Sequence, residues 1–135
     1  MRKRTYNKIT RFHVEKIFQW CKNKYGRGRS RYPDLMFKMP DITNNPLALG
    51  EYDYEDNFIF INSLKHKSLI EVANTVIHEY MHYRFHDKKR YMNNDANMKY
   101  TENPMENHAN AIAKRASKKC ISELKKYHSQ FNFKK

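Results

Sequence analysis

The segment Leu69–Tyr83 constrains this chain more than any other, because it combines the apolar period of a helix with two histidines one turn apart. It contains the run His78-Glu79-Tyr80-Met81-His82. Side chains four positions apart on a helix are neighbours, with Cβ atoms roughly 5–6 Å apart. Two imidazoles at that spacing can bind one Zn²⁺ at about 2.0–2.1 Å, with the intervening glutamate beside a water molecule on the metal. The run therefore predicts a metal site on a helix. That helix is expected to begin near Lys67 or Ser68, because Ser68 and Glu71 are spaced as a capping box.

A catalytic zinc site needs three protein ligands, so a further ligand has to come from elsewhere in the chain. The best candidate is Glu106, which lies 24 residues after His82, in the first turn of a predicted final helix. Asn110 follows one turn later on the same face and can hydrogen-bond a ligand histidine, which fixes the orientation of the ring. The alternative for Glu106 is an acid that only stabilises a helix N-terminus through the helix dipole.

The other histidines are weaker candidates for the metal. On a continuous helix His86 would lie about 6 Å further along the axis than His82, and it would point past a shared ion. We give His108 the same low weight as a ligand. The remaining histidines are expected on the surface: His13, His66 and His128.

The remaining patterns predict a single α+β domain. Runs of β-forming residues separated by turn residues predict a small three-stranded antiparallel sheet with hairpin connections. The expected elements, in chain order, are a helix from about Arg11 to Lys24, strands at Leu35–Met39, Leu49–Tyr54 and Phe58–Ile61, the helix described above, and a final helix from Pro104 or Met105 to Tyr127.

Length and charge set the limits on this domain. The 135 residues suit one domain with a single modest core, and the basic ends, 1–8 and 129–135, are expected to be flexible tails. The formal net charge of +13 indicates either attraction to nucleic acid or another polyanion, or a solvated basic surface. No nucleic-acid-binding motif decides between the two interpretations.

Cysteine usage and hydropathy indicate a soluble protein. Cys21 and Cys120 lie in helical patterns far apart in the sequence, and we expect reduced, buried thiols. No apolar run approaches the roughly 20 residues of a membrane span. Charged residues interrupt the only apolar stretch near the N-terminus, so a secretory signal is not expected. We therefore expect a cytoplasmic protein without membrane contact.

The motif residues together resemble a known class. A His-Glu-x-x-His run followed by Glu-x-x-x-Asn-x-x-Ala is similar to the gluzincin metallopeptidases, and most of all to the small SprT-like, ImmA/IrrE-like and phage-borne forms. The residues that carry the resemblance are His78, Glu79, His82, Glu106, Asn110 and Ala113. It implies a minimal zincin-like fold, a Zn²⁺ cofactor held by both histidines and Glu106, and a protein or peptide substrate. It also implies that Phe58–Ile61 lines the cleft and pairs with extended substrate.

Two positions depart from the pattern of these relatives. Asn110 stands where many of them carry Asp, so no negative charge is available there to raise the basicity of a ligand histidine. His108 stands where some of them carry a second Glu.

The resulting hypothesis is a zinc endopeptidase in which Glu79 acts as general base on a zinc-activated water. The residue that assists at the oxyanion stays open among Tyr83, Tyr91, Tyr100 and His108. One alternative is a basic nucleic-acid-associated protein that uses the zincin core as a binding platform. Another is a purely structural zinc module, which would not need Glu79 as a base.

Overall fold

The structure, a computed structural model, describes residues 9–28, 30–37, 49–62, 66–86 and 103–133. The α+β fold predicted from the sequence is confirmed. Two expectations, the flexible tail at 1–8 and the end of the first strand beyond Phe37, lie outside the described residues. The elements are helices α1 (Arg11–Tyr25), α2 (Leu69–Phe85) and α3 (Pro104–Tyr127), strands β1 (Asp34–Phe37), β2 (Gly50–Asp53) and β3 (Phe58–Ile61), and a 3₁₀ turn at Ser129–Phe131.

The sheet is mixed, so the expectation of an all-antiparallel sheet is wrong. The strand order is β1-β3-β2, with β3 in the centre. β2 runs antiparallel to β3, as a hairpin requires, but β1 runs parallel to β3. Alternating side chains reveal where a strand lies and which residues share a face, but not which strand becomes its neighbour. Sequence reasoning therefore located the strands and missed the pairing of β1.

The hairpin between β2 and β3 is closed by local polar contacts. The Asp53 carboxylate accepts hydrogen bonds from the backbone N–H groups of Glu55 and Asp56, each at 2.8 Å. Asn57 adopts a left-handed backbone conformation with φ of 54°, which asparagine tolerates better than most residues. Its side-chain oxygen accepts a hydrogen bond from the Tyr52 hydroxyl at 2.7 Å. This turn fixes the register of β2 against β3.

Helix α2 forms the centre of the core and begins where the sequence predicts. The Ser68 hydroxyl accepts a hydrogen bond from the Glu71 N–H at 3.1 Å, and the Glu71 carboxylate accepts one from the Lys67 N–H at 2.6 Å. The helix packs against α1, α3, β2 and β3. Six of its side chains have no exposed surface: Val72, Ala73, Val76, Ile77, Tyr80 and Met81. Among the described residues, no helix is both long enough and apolar enough to cross a bilayer.

The end of the chain is packed as far as it is described, whereas 129–135 was expected to be a flexible tail. Phe131 is 1% exposed, and its ring lies edge-on to His13 with the centroids 5.0 Å apart. His13 is buried as well, so its predicted surface position is wrong. Its Nδ1 accepts a hydrogen bond from the Thr10 N–H at 2.9 Å, and its Nε2 lies 2.7 Å from the Gln130 carbonyl oxygen. These contacts join the start of α1 to the turn after α3.

His66 is also buried rather than on the surface. Its Nδ1 lies 2.9 Å from the Asn62 carbonyl oxygen, and its Nε2 lies 2.9 Å from the Thr75 hydroxyl oxygen. A carbonyl can only accept, so Nδ1 carries a proton and donates it to Asn62. The Thr75 hydroxyl also lies 3.2 Å from the Glu71 carbonyl oxygen. Burial lowers the pKa of His66, although the hydrogen bond to Asn62 and the charge of Glu71 partly oppose this. The folded protein therefore favours the neutral imidazole more than the unfolded chain does.

Replacing Gly50 with alanine is expected to lower the free energy of unfolding by about 1–3 kcal/mol. A Cβ at this position would lie 2.6 Å from Thr75 Cγ2 and 3.0 Å from the Phe60 carbonyl oxygen, so β2 would have to move away from α2. Denaturant unfolding of the variant and the wild type measures the change. Thr75→Ser removes Cγ2 and keeps the hydroxyl, so Gly50→Ala should cost less in that background. Equal costs in both backgrounds would contradict the steric explanation.

The stability of the wild type should fall more steeply below pH 6.5 than that of a His66→Gln variant. The pKa of His66 is lower in the folded protein than its ordinary value of 6.5. The unfolded chain therefore takes up the proton first, and the free energy of unfolding decreases as the pH falls below 6.5. Denaturant midpoints from about pH 8 to about pH 5 test this. Parallel curves for the two proteins would show that His66 contributes nothing to the pH dependence.

Candidate metal centre

The candidate site lies where α2 packs against the start of α3. His78 and His82 are one turn apart on α2, and Glu106 is in the first turn of α3. Asn103 caps α3 by accepting a hydrogen bond from the Met105 N–H at 3.0 Å, and Pro104 occupies the first helical position, where a missing N–H costs nothing. The cap determines where α3 begins and so directs Glu106 toward α2.

Three donor atoms converge in this space. Glu106 Oε1 lies 2.9 Å from His78 Nε2 and 3.1 Å from His82 Nε2, and the two Nε2 atoms are 3.3 Å apart. Ligands arranged tetrahedrally at 2.0–2.1 Å from a zinc ion are about 3.3 Å from one another. The three atoms are thus spaced as the ligands of one small cation would be. The donor set, two imidazoles and one carboxylate, is one that zinc accepts at catalytic sites.

The electrostatics of the site favour positive charge. Glu106 and His82 are each 3% exposed, and a carboxylate buried to that degree is costly unless a cation or hydrogen-bond donors lie next to it. Burial lowers the pKa of His78, but the hydrogen bond to Glu106 and the charges of Glu79 and Glu106 outweigh it, so the pKa of His78 is raised. The field that stabilises an imidazolium here would also stabilise a metal cation.

Glu79 lies beside the three converging atoms. Its Oε2 is 4.0 Å from His78 Nε2, and the ligand atoms of His78, Glu79 and His82 all lie within 4.8 Å of one another. Burial raises the pKa of the Glu79 carboxyl, the nearby histidines lower it, and the charges of Glu106 and Glu51 raise it further; the net shift is upward. A carboxylate with a raised pKa is a better proton acceptor than an exposed one.

The two histidines have different neighbours. The Asn110 side chain helps to raise the pKa of His78, so it lies near that ring, as its spacing from Glu106 allows. His82 has a partner that sequence reasoning missed: its Nδ1 lies 2.8 Å from His86 Nδ1. The premise of a continuous helix was wrong, because α2 ends at Phe85 and His86 has an extended backbone (φ −112°, ψ 133°). The only sequence signal for this contact was the spacing of His82 and His86.

Other expectations change with the structure. β3 is paired on both sides, so the interpretation that it pairs with substrate is wrong. The Tyr83 hydroxyl accepts a hydrogen bond from the Gly28 N–H at 2.9 Å and donates one to the Ser30 carbonyl at 3.0 Å, which ties it to the loop after α1. Tyr91 and Tyr100 lie outside the described residues. Another aromatic residue lies beside the site: the ring of Tyr54, just after β2, has its centroid 6.1 Å from that of His82.

Comparison with known proteins agrees with this geometry. Residues 33–123, about two thirds of the chain, match the sequence profile of the peptidase M78 family, described as the IrrE N-terminal-like domain. The matched region includes β1 and every predicted site residue. No curated protein and no solved structure gives a significant match. The chain belongs to the peptidase M78 family of zincin-like metallopeptidases.

Proposed function

We propose that this protein is a zinc-dependent endopeptidase. The observation that carries the proposal is the convergence of two imidazole nitrogens and one carboxylate oxygen to within 3.3 Å, with the buried Glu79 beside them. The family supports the assignment to the metallopeptidases. The assignment to zinc and to hydrolysis within a polypeptide rests on the donor set and on Glu79.

In this proposal each residue has a separate task. His78, His82 and Glu106 would hold the ion, and zinc in that position would supply a Lewis acid that polarises a peptide carbonyl and acidifies water. Glu79 accepts a proton from the attacking water as the new C–O bond forms. It then donates that proton to the leaving amine as the C–N bond breaks. The raised pKa of Glu79 suits it to both steps, because such a carboxyl exchanges protons closer to neutral pH.

The substrate in this proposal is an extended polypeptide that pairs with β2 instead of β3. β2 hydrogen-bonds to β3 on one side, and no other described strand lies on its opposite side. β2 also lies near the site, since the charge of Glu51 contributes to the raised pKa of Glu79. An unpaired strand edge can bind an extended peptide through its backbone groups, whatever the side chains of that peptide.

The Glu79→Gln variant should keep its zinc but hydrolyse peptides about 10²–10⁴-fold more slowly, because the amide cannot accept the proton. Glu106→Ala should lose both zinc and activity, because a ligand is removed. Zinc per chain after dialysis and cleavage of denatured casein measure the two effects. Glu15→Ala, which removes an exposed carboxylate on α1, is the matched control and should change neither. Wild-type protein that binds no zinc would contradict the proposal, and zinc without hydrolysis would favour a structural zinc module.

A second function is favoured by one surface. The outer face of α3 carries six exposed cations, and none forms an ion pair with a described residue. The acid in this part of the helix, Glu123, is half-buried and accepts a hydrogen bond from Trp20 Nε1 at 2.7 Å. At 100° per residue the cations share one face over about 18 Å of axial rise. They are Lys114, Arg115, Lys118, Lys119, Lys125 and Lys126.

We infer that this basic face of α3 binds the phosphate backbone of double-stranded nucleic acid. Like charges in a row along one helix complement a regular array of phosphates, and neutralising them releases counterions from the duplex. The apolar face of α3 is buried against α2, so it offers nothing to insert into a membrane. Such binding could bring the peptidase to protein substrates that are themselves bound to nucleic acid.

Replacing Lys114, Lys118 and Lys125 with glutamine should weaken binding to random-sequence duplex DNA. It should also reduce the slope of log K against log salt by up to about 2.7, because each lost phosphate contact removes about 0.9. The control is the triple glutamine variant of Lys16, Lys22 and Lys24, which removes the same charge from α1. Equal weakening in both triples would show that only net charge matters. Binding to anionic vesicles but not to DNA would assign the face to a membrane surface.

A further inference from the structure

His82 contacts the candidate metal space with one ring nitrogen and a second histidine with the other. Its Nε2 lies 3.1 Å from Glu106 Oε1, and its Nδ1 lies 2.8 Å from His86 Nδ1. His86 in turn places its Nε2 2.9 Å from His108 Nδ1. We propose that His86 and His108 form a hydrogen-bonded chain that positions His82 for metal binding. The proposal rests on the proposed metal site, and His86 and His108 act in it as positioning residues.

Each hydrogen bond between these three histidines can be given one donor and one acceptor when all three rings are neutral. A nitrogen–nitrogen contact of 2.8–2.9 Å is a hydrogen bond, which requires one donor and one acceptor. A neutral imidazole has one of each. Metal binding at Nε2 of His82 requires that nitrogen to be unprotonated, so its proton lies on Nδ1 and is donated to His86. His86 then donates from Nε2 to His108. Every nitrogen in the chain therefore has a defined role, and His82 is held in the one tautomer that can bind a metal through Nε2.

His86 is well placed for this role because two parts of it contact the turn that carries His82. Its backbone N–H donates to the His82 carbonyl oxygen at 3.2 Å, at the point where α2 ends. Its ring lies 4.9 Å from that of His82 and 5.0 Å from that of His108, centroid to centroid. His108 is two residues after Glu106 on α3. The chain therefore connects the end of α2 to the start of α3, the two segments that carry His82 and Glu106.

The geometry argues against a second metal site made of the same histidines. His86 uses opposite nitrogens for its two neighbours, Nδ1 for His82 and Nε2 for His108. The two nitrogens of one imidazole point away from each other, so a single ion cannot bind both. The contacts of His86 and His108 thus form a row and do not converge on one point.

Both candidate ligand histidines then have a neutral neighbour. The Asn110 side chain contributes to the raised pKa of His78, and His86 hydrogen-bonds His82 Nδ1. Partners of this kind fix ring orientation and tautomer, and their loss typically weakens metal binding 10- to 100-fold. A carboxylate partner would add negative charge to the site, whereas an amide and an imidazole orient the rings without adding it.

The His86→Ala variant should bind zinc about 10- to 100-fold more weakly than the wild type, measured by competition with a chelator of known affinity. His86→Gln, whose side-chain carbonyl can accept the proton of His82 Nδ1, should recover part of the loss. His108→Ala should have a smaller effect, because His82 keeps its contact with His86. The matched control is His128→Ala, which removes a histidine at the far end of α3 and should leave zinc affinity unchanged.

A second readout does not depend on zinc. Nitrogen-15 spectra of the histidine rings in the metal-free protein report the hydrogen bond at His82 Nδ1, and that resonance should shift in His86→Ala but not in His128→Ala. Zinc affinity and spectra that are equal in all variants would overturn the proposal. Equal zinc loss in His86→Ala and His86→Gln, with both metal-free variants less stable to heat, would assign His86 to folding and also overturn it. If the wild type binds no zinc, the proposed function fails. The spectra alone then decide whether His82, His86 and His108 are joined by hydrogen bonds.

Discussion

The burial of α2 on nearly every side is the constraint on which the rest of this structure depends. The helix packs against α1, α3 and the sheet, and residues such as Val76, Tyr80 and Met81 have no exposed surface. A helix enclosed in this way cannot rotate or slide without opening cavities in the core. His78 and His82 therefore keep a fixed direction, toward the start of α3. The short distances from these histidines to Glu106 follow from the packing of α2 against α3.

The charged carboxylates of the candidate site are buried beside the two histidines, whereas the other polar neighbours of these histidines are neutral. Glu106 and Glu79 are both buried, and their negative charges raise the pKa of His78, so the site attracts a cation before any ligand is bound. The neighbours of the two histidines, Asn110 and His86, carry no negative charge. Within the described residues, the exposed positive charge of α3 lies on the opposite side of that helix from its core face. The negative charge of Glu106 and the exposed positive charge of α3 thus lie on different parts of the same helix.

Local patterns predicted most of the elements and several of the contacts. Ser68 and Glu71 cap α2 as their spacing indicated, and β3 and α3 have the predicted bounds. The errors concern contacts that the helix and strand periods do not specify. His13 pairs with Gln130, and His66 lies against Thr75, so both histidines are buried although they were expected on the surface. The parallel pairing of β1 with β3 joins two strands that β2 separates in the sequence but not in the sheet. A short apolar run contains no information about such pairings.

The sequence by itself determined that two histidines and a glutamate share one face of a helix, because the period of an α-helix converts a spacing of four into proximity. It also placed Glu106 and Asn110 one turn apart at the start of α3. Only the tertiary structure decided that Glu106 meets His78 and His82, because that contact depends on how two helices pack. It also decided that β2 and not β3 has an edge free of described strands, and that His86 turns back to His82 where α2 ends. These features depend on where the polypeptide goes after a helix or strand ends. The periods of helices and strands do not specify that path.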